Sequence, residues 1–156
     1  MTATIVNVLF DLDGTLTDPR EGIVACLKHA LLGLGRNCPS DSELARFIGP
    51  PLQEIFGMLL GSTDPKDIDS AVTLYRQRFS STGMFQNIVY PGIHSALTTL
   101  RRSGAALFVA TSKPHVFAKR IVDHFAITNN FRAVYGSELD GTRSNKIDLI
   151  AHVLKS

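Results

Sequence analysis

The sequence predicts an α/β fold with an inserted all-α domain, and three observations carry that expectation. Residues 5–10 and 105–110 are apolar runs of strand length that end abruptly in polar residues, as strands buried on both faces do. Residues 93–100, 114–125 and 144–154 alternate with such runs and place apolar side chains at helical spacing, which implies a parallel sheet with right-handed crossovers. Residues 17–83 carry four helical patterns and no strand, so they read as a separate block. The expected architecture is therefore a three-layer, Rossmann-like parallel sheet of about three strands. Its core comprises residues 1–16 and 84–156, and the helical cap comprises residues 17–83.

Each element has its own signals. The first strand, residues 5–10, is broken only by Asn7. Asp18 can cap the following helix, Pro19 suits its first turn and Glu21 completes a capping box. Ile23, Leu27, Ala30, Leu31 and Leu34 share a face of that helix, and Gly33 with Gly35 ends it. Ser40 and Glu43 repeat the capping signature for a short helix through Phe47. Gly49, Pro50 and Pro51 then break the chain before a helix over 52–60, and Asp64-Pro65 opens a fourth, to about residue 80.

Tyr90-Pro91-Gly92 returns the chain to the α/β pattern. Ile93, Ala96, Leu97 and Leu100 form the buried face of a helix that Gly104 stops. The second strand, 105–110, ends in Thr111, a helix over 114–125 follows, and 133–135 is a short third strand. After a polar loop, Ser144 or Asn145 caps a last helix whose expected core face is Ile147, Ile150, Ala151 and Leu154.

Composition narrows the classes of function. With 156 residues, 44% hydrophobic and 19% charged, the chain suits one ordinary globular domain and a small insert. Its net charge of +2 is not gathered into any Lys/Arg run, so nucleic acid is not implied, whereas small anionic substrates fit. Cys26 and Cys38 lack metal-ligand spacing, and no signal peptide is evident, which suggests reduced thiols in a cytoplasm. No apolar run approaches the roughly 18 residues that a membrane span needs.

Asp11 and Asp13 sit on alternate residues just past the first strand, where ligands bind in open α/β sheets. Unpaired buried carboxylates are costly, so they need a cation, and Mg²⁺ prefers oxygen ligands of this kind. Both acids would be ordinary solvated loop residues if they stood alone. Gly14 and Thr15 argue otherwise by completing a specific string, DLDGTLTD.

That string resembles the first motif of the haloacid dehalogenase superfamily in its phosphatase form. FIGPPL, VYPGI, VATSKP and GSELDGTRSNK extend the resemblance over nearly the whole chain, closest to the phosphoglycolate phosphatase-like group with a helical cap. The resemblance implies that Asp11 is a nucleophile forming an aspartyl-phosphate, and that Asp13 protonates the leaving oxygen and then activates water. It implies Mg²⁺ held by Asp11 and the backbone carbonyl of Asp13, a turn permitted by Gly14, and phosphate bound by the Thr111 hydroxyl and the Ser112 amide. Without the first motif, Thr111 would read as a helix N-cap. Lys113 and Lys146 compete for the cation of the third motif. Lys146 is assigned, because SNK at the start of a helix after the third strand is where the resemblance places the catalytic lysine, and a cation opposing the macrodipole in a helix's first turn needs a reason to be there. Lys113 is left as a surface or cap-facing residue, and Arg46, Arg76 and Arg78 as solvated helix faces.

The implied activity is Mg²⁺-dependent hydrolysis of a small phosphate monoester, phosphoglycolate-like or a nucleoside monophosphate. A phosphomutase and a non-catalytic phosphate-binding module are the alternatives. The partner is then a small phosphorylated metabolite, not nucleic acid or a membrane. The family's fourth motif, an acidic pair after a fourth strand, does not occur before Ser156. Without that strand, the first strand becomes a bare apolar edge open to self-association. If the chain nevertheless proves monomeric and active, Asp140 in the loop after the third strand is the first candidate for a second metal carboxylate.

Overall fold

The computed structural model describes residues 6–155. In chain order its elements are β1 (Asn7–Phe10), β2 (Thr17–Asp18), α1 (Arg20–Gly33), α2 (Asp41–Leu44), α3 (Leu52–Leu60), α4 (Pro65–Ser81), β3 (Ile88–Val89), α5 (Ile93–Arg102), β4 (Ala106–Pro114), α6 (His115–His124), β5 (Ala133–Ser137) and α7 (Lys146–Val153). They fall into two compact units, Met1–Asp18 with Ile88–Ser156, and Pro19–Asn87. The joins expected at residues 17 and 83 thus fall slightly later, because Thr17 and Asp18 pair with Val89 and Ile88 as an antiparallel ribbon of the first unit.

The first unit holds a parallel sheet in the order β1-β4-β5. α5 leads into β4 and α6 joins β4 to β5, so right-handed crossovers in one direction put both helices on one face. α7 packs on β4 and β5 from the other side, with the His152 ring edge-on to Tyr135 at 6.1 Å. Leu97, Leu107, Val109, Ile121, Val122 and Leu149 are buried between these layers.

Two expectations about burial fail here. β4 is covered on both faces, but β1 is not: Val8, Leu9 and Phe10 are half-buried, and Asn7 is exposed. Among the described residues β1 has a single neighbouring strand, so its other edge stays open. Ile5, expected to begin this strand, lies outside the described residues. The expected core face of α7 is also wrong, since Ile147 is 77% and Leu154 76% exposed, while Leu149 is fully buried. Leu149 packs into the core, and Lys146, one turn before it on the same side, donates its ammonium to the Ala110 carbonyl at 3.1 Å. Residues 146, 149 and 153, at i, i+3 and i+7, turn to the sheet, and the Ile147–Ile150–Leu154 stripe turns away. The strands are also longer than expected, β4 running to Pro114 and β5 to Ser137.

The second unit is all helical apart from connecting turns. Ser40 makes the expected capping box: its Oγ accepts from the Glu43 amide at 3.4 Å, and Glu43 Oε2 accepts from the Ser40 amide at 2.9 Å. The same Ser40 hydrogen bonds hold the Glu43 carboxyl below its ordinary range. Asp64 caps α4 by accepting from the Lys66 amide at 2.9 Å. Asp18 does not cap α1; it ends β2, and Pro19 occupies the cap position. Along α1, Ile23, Leu27, Ala30 and Leu31 are buried, and α1 packs against α4, whose Tyr75 and Phe79 are buried as well. Gly22 permits a close crossing, since a Cβ there would lie 1.9 Å from the Gly83 carbonyl oxygen. Cys26 is fully buried. Arg78 is not merely solvated: its guanidinium donates to Gln86 Oε1 at 2.8 Å and ties α4 to the segment that leaves the unit.

Candidate active site

The site is built where β1 stops. Alternation beyond the strand turns Leu12 into the core, fully buried, and leaves Asp11 and Asp13 on the opposite side. The loop then closes on itself. The Leu12 carbonyl accepts from the amides of Leu16 at 2.9 Å and Thr17 at 3.1 Å, and the Gly14 amide donates to the Thr17 carbonyl at 2.8 Å. Gly14 has φ +78 although a Cβ would touch nothing, so the backbone conformation, not space, calls for glycine. The bonds closing the loop use the carbonyls of Leu12 and Thr17 and leave that of Asp13 aside.

Each carboxylate has its own lysine. Asp11 accepts from the Leu12 amide through Oδ1 at 2.8 Å, and Lys146 Nζ lies 3.0 Å from its Oδ2. Lys146 is therefore where the sequence put it, at the first turn of α7, capped by Asn145 through the Ile147 amide at 2.8 Å. Lys113, expected at the surface or facing the cap, is not at the surface. Its side chain is 8% exposed, and its Nζ sits 2.9 Å from Asp13 Oδ2. The other oxygen of that carboxylate, Oδ1, is buried without a hydrogen-bond partner among the described residues.

The chain brings Lys113 inward through a bulge. Ala110 pairs with Tyr135 and Pro114 with Ser137, so Thr111, Ser112 and Lys113 of β4 face the single residue Gly136 of β5. Bulges re-aim side chains beside functional sites in this way. Gly136 has no Cβ because there is no room for one: it would fall 2.5 Å from the Lys113 carbonyl oxygen and 2.7 Å from the His115 backbone. Ser137 Oγ donates to the Ser112 carbonyl at 2.8 Å and clamps the bulge from the same strand. Thr111 is buried within β4, and its Oγ1 accepts from the Lys113 amide at 3.2 Å. It is not a helix cap, since α6 starts four residues later with Pro114 at the cap position.

Asp140 does not join this group. Its carboxyl accepts from the Thr142 amide at 2.8 Å, which holds it below its ordinary range, and it lies exposed in the loop before α7. Among the described residues no three His, Cys, Asp or Glu side chains come together as a metal cage. The oxygens that suit a hard cation are the Asp11 carboxylate and the uncommitted Asp13 carbonyl, with waters and substrate oxygens completing the shell as Mg²⁺ prefers. The residues thus fit Mg²⁺ as a partial donor set.

The profile of the haloacid dehalogenase-like hydrolases matches residues 8–156. A 5′-nucleotidase of Pseudomonas aeruginosa is 51% identical over 96% of this chain and 67% of its own. The tyrosine-protein kinase PtkA of Mycobacterium tuberculosis is 40% identical over 94% of this chain and 50% of its own. The crystal structure of a predicted phosphatase from Clostridium acetobutylicum superposes with a TM-score of 0.90 at 42% identity, covering 97% of this chain and 69% of that one. The chain thus spans from half to about two thirds of the length of these relatives.

Proposed function

From the premise that the chain belongs to the haloacid dehalogenase-like hydrolase family, we propose that it hydrolyses small phosphate monoesters, nucleoside monophosphates first among them. The observation that supports this most is the pairing of two adjacent strand-end carboxylates with two separate lysines. Asp11, fixed by the Leu12 amide and Lys146, attacks phosphorus in line and becomes an aspartyl-phosphate. Asp13 gives a proton to the departing ester oxygen and then takes one from the water that opens the intermediate. Thr111 Oγ1 already accepts from the Lys113 amide, which leaves its own proton for a phosphate oxygen. The Ser112 amide and Lys146 Nζ supply further donors, and the Gly14 turn leaves the backbone open beside them. Bound Mg²⁺, on the Asp11 carboxylate and Asp13 carbonyl, would screen charge between nucleophile and phosphate.

The substrate preference draws on the name of the Pseudomonas aeruginosa relative, with phosphoglycolate as the next ester to test. A second reading, phosphoryl transfer to a hydroxyl acceptor instead of water, has the kinase name of the mycobacterial relative in its favour. Measuring inorganic phosphate released from nucleoside monophosphates, phosphoglycolate and p-nitrophenyl phosphate, with Mg²⁺ and with EDTA, tests the proposal. Asp11-dependent release supports it; transfer to sugar or tyrosine hydroxyls without release favours the second reading. No helix among the described residues is long and apolar enough to cross a membrane. The free thiols of Cys26 and Cys38 suit the reducing cytoplasm we assign it to.

A further inference from the structure

Lys113 is the charged group that the phosphatase mechanism leaves without a task. It is among the least exposed charged side chains in the site, at 8%, and a bulge, a glycine and a clamping serine together hold it 2.9 Å from Asp13. We propose that Lys113 is a positioning residue for Asp13: it holds Oδ2, so that the buried, unpartnered Oδ1 is the oxygen presented for proton exchange with the leaving group. This rests on the phosphatase reading, in which Asp13 exchanges that proton.

The physical case has three parts. A carboxylate free to rotate would present either oxygen, and a general acid loses effectiveness when its geometry slackens. The charge-assisted contact to Lys113 operates in a partly desolvated site, where it is stronger than on the surface. A buried carboxylate oxygen with no partner is costly, and such a group persists where the surroundings hold it in place. Lys146 cannot do this for Asp13, because it is committed to Asp11 and the Ala110 carbonyl.

The test exploits leaving groups. p-Nitrophenolate departs with little help from an acid, whereas the ribose oxygen of a nucleoside monophosphate needs a proton. Lys113→Met is expected to lower kcat/KM, which reports the steps up to departure of the leaving group, by about 10²-fold for the nucleoside monophosphate and by less than about fivefold for p-nitrophenyl phosphate. In an Asp13→Asn background, Lys113→Met should add no further loss, and Lys113→Arg, which keeps the charge, should restore part of the selective loss. Equal losses on both esters with a raised KM would mean that Lys113 binds phosphate directly, and would overturn the proposal. So would a Lys113→Met loss that persists beside Asp13→Asn. Should Lys113→Met fold poorly, the Asp13→Asn/Lys113→Met pair removes both charges, and its comparison with Asp13→Asn alone still decides. A crystal structure of Lys113→Met supplies a readout independent of turnover: Asp13 in a new rotamer supports positioning, and an unmoved Asp13 refutes it. Turnover that survives Asp11→Asn would instead undo the phosphatase reading itself.

Discussion

At the scale of single residues, Asp11 and Asp13 differ in what they touch, and they should differ in what their loss does. Asp11→Asn leaves a poor nucleophile and weakens the pair with Lys146, so phosphate release should fall to background. Asp13→Asn keeps the backbone carbonyl proposed for Mg²⁺, so metal titration should change little while turnover drops about 10²–10⁴-fold. Equal and slight effects of the two changes would defeat this division of roles. Asp11, Asp13, Thr111 and Lys146 are legible in the sequence itself, because each lies in a contiguous string that carries the resemblance. Lys113 is not, because its environment is made by β5, which lies about twenty residues away along the chain.

At the scale of elements, the bulge in β4 and the glycine beneath it act as one device. Gly136→Ala must displace backbone at Lys113 or His115, since neither contact is a flexible side-chain end. It should lower the melting temperature, by a loss of about 1–3 kcal/mol, and reduce turnover on alkyl phosphates by moving Lys113. Circular dichroism melts with paired rate assays would show both. In the helical unit, the Ser40–Glu43 box offers a pH-dependent check. The Glu43 carboxyl is held below its ordinary value of 4.5 by the Ser40 hydrogen bonds. Its ionised form therefore favours the folded state above that value, and the benefit is lost as pH falls through the lower folded value. Ser40→Ala should lower the melting temperature at neutral pH, and the difference from the parent should shrink below pH 4.5.

At the scale of the whole molecule, β1 is the weak point of the sheet. It is a four-residue edge with no charged residue between Val6 and Phe10, and Val6 is 59% exposed. Edges of this kind pair with other chains. We propose that the 156-residue chain self-associates through this strand. Sedimentation velocity should show mass rising with concentration, and Asn7→Lys, which places a charge on the open edge, should shift the population toward monomer. A chain that stays monomeric across the range would remove the edge from consideration.

The sequence by itself determined the α/β class, the helical insert, the capping of α2 and α4 and the place of Asp11 at the end of β1. These features depend on neighbouring residues and on short periodic patterns, which a chain carries openly. Tertiary structure alone decided the rotation of α7, the half-buried state of β1 and the partner of Lys113. For α7, periodicity named an apolar stripe but could not show which side of the helix the sheet would cover, and the sheet covers Leu149. For Lys113, burial came from a register shift between two strands, a relation between distant segments that no local pattern encodes.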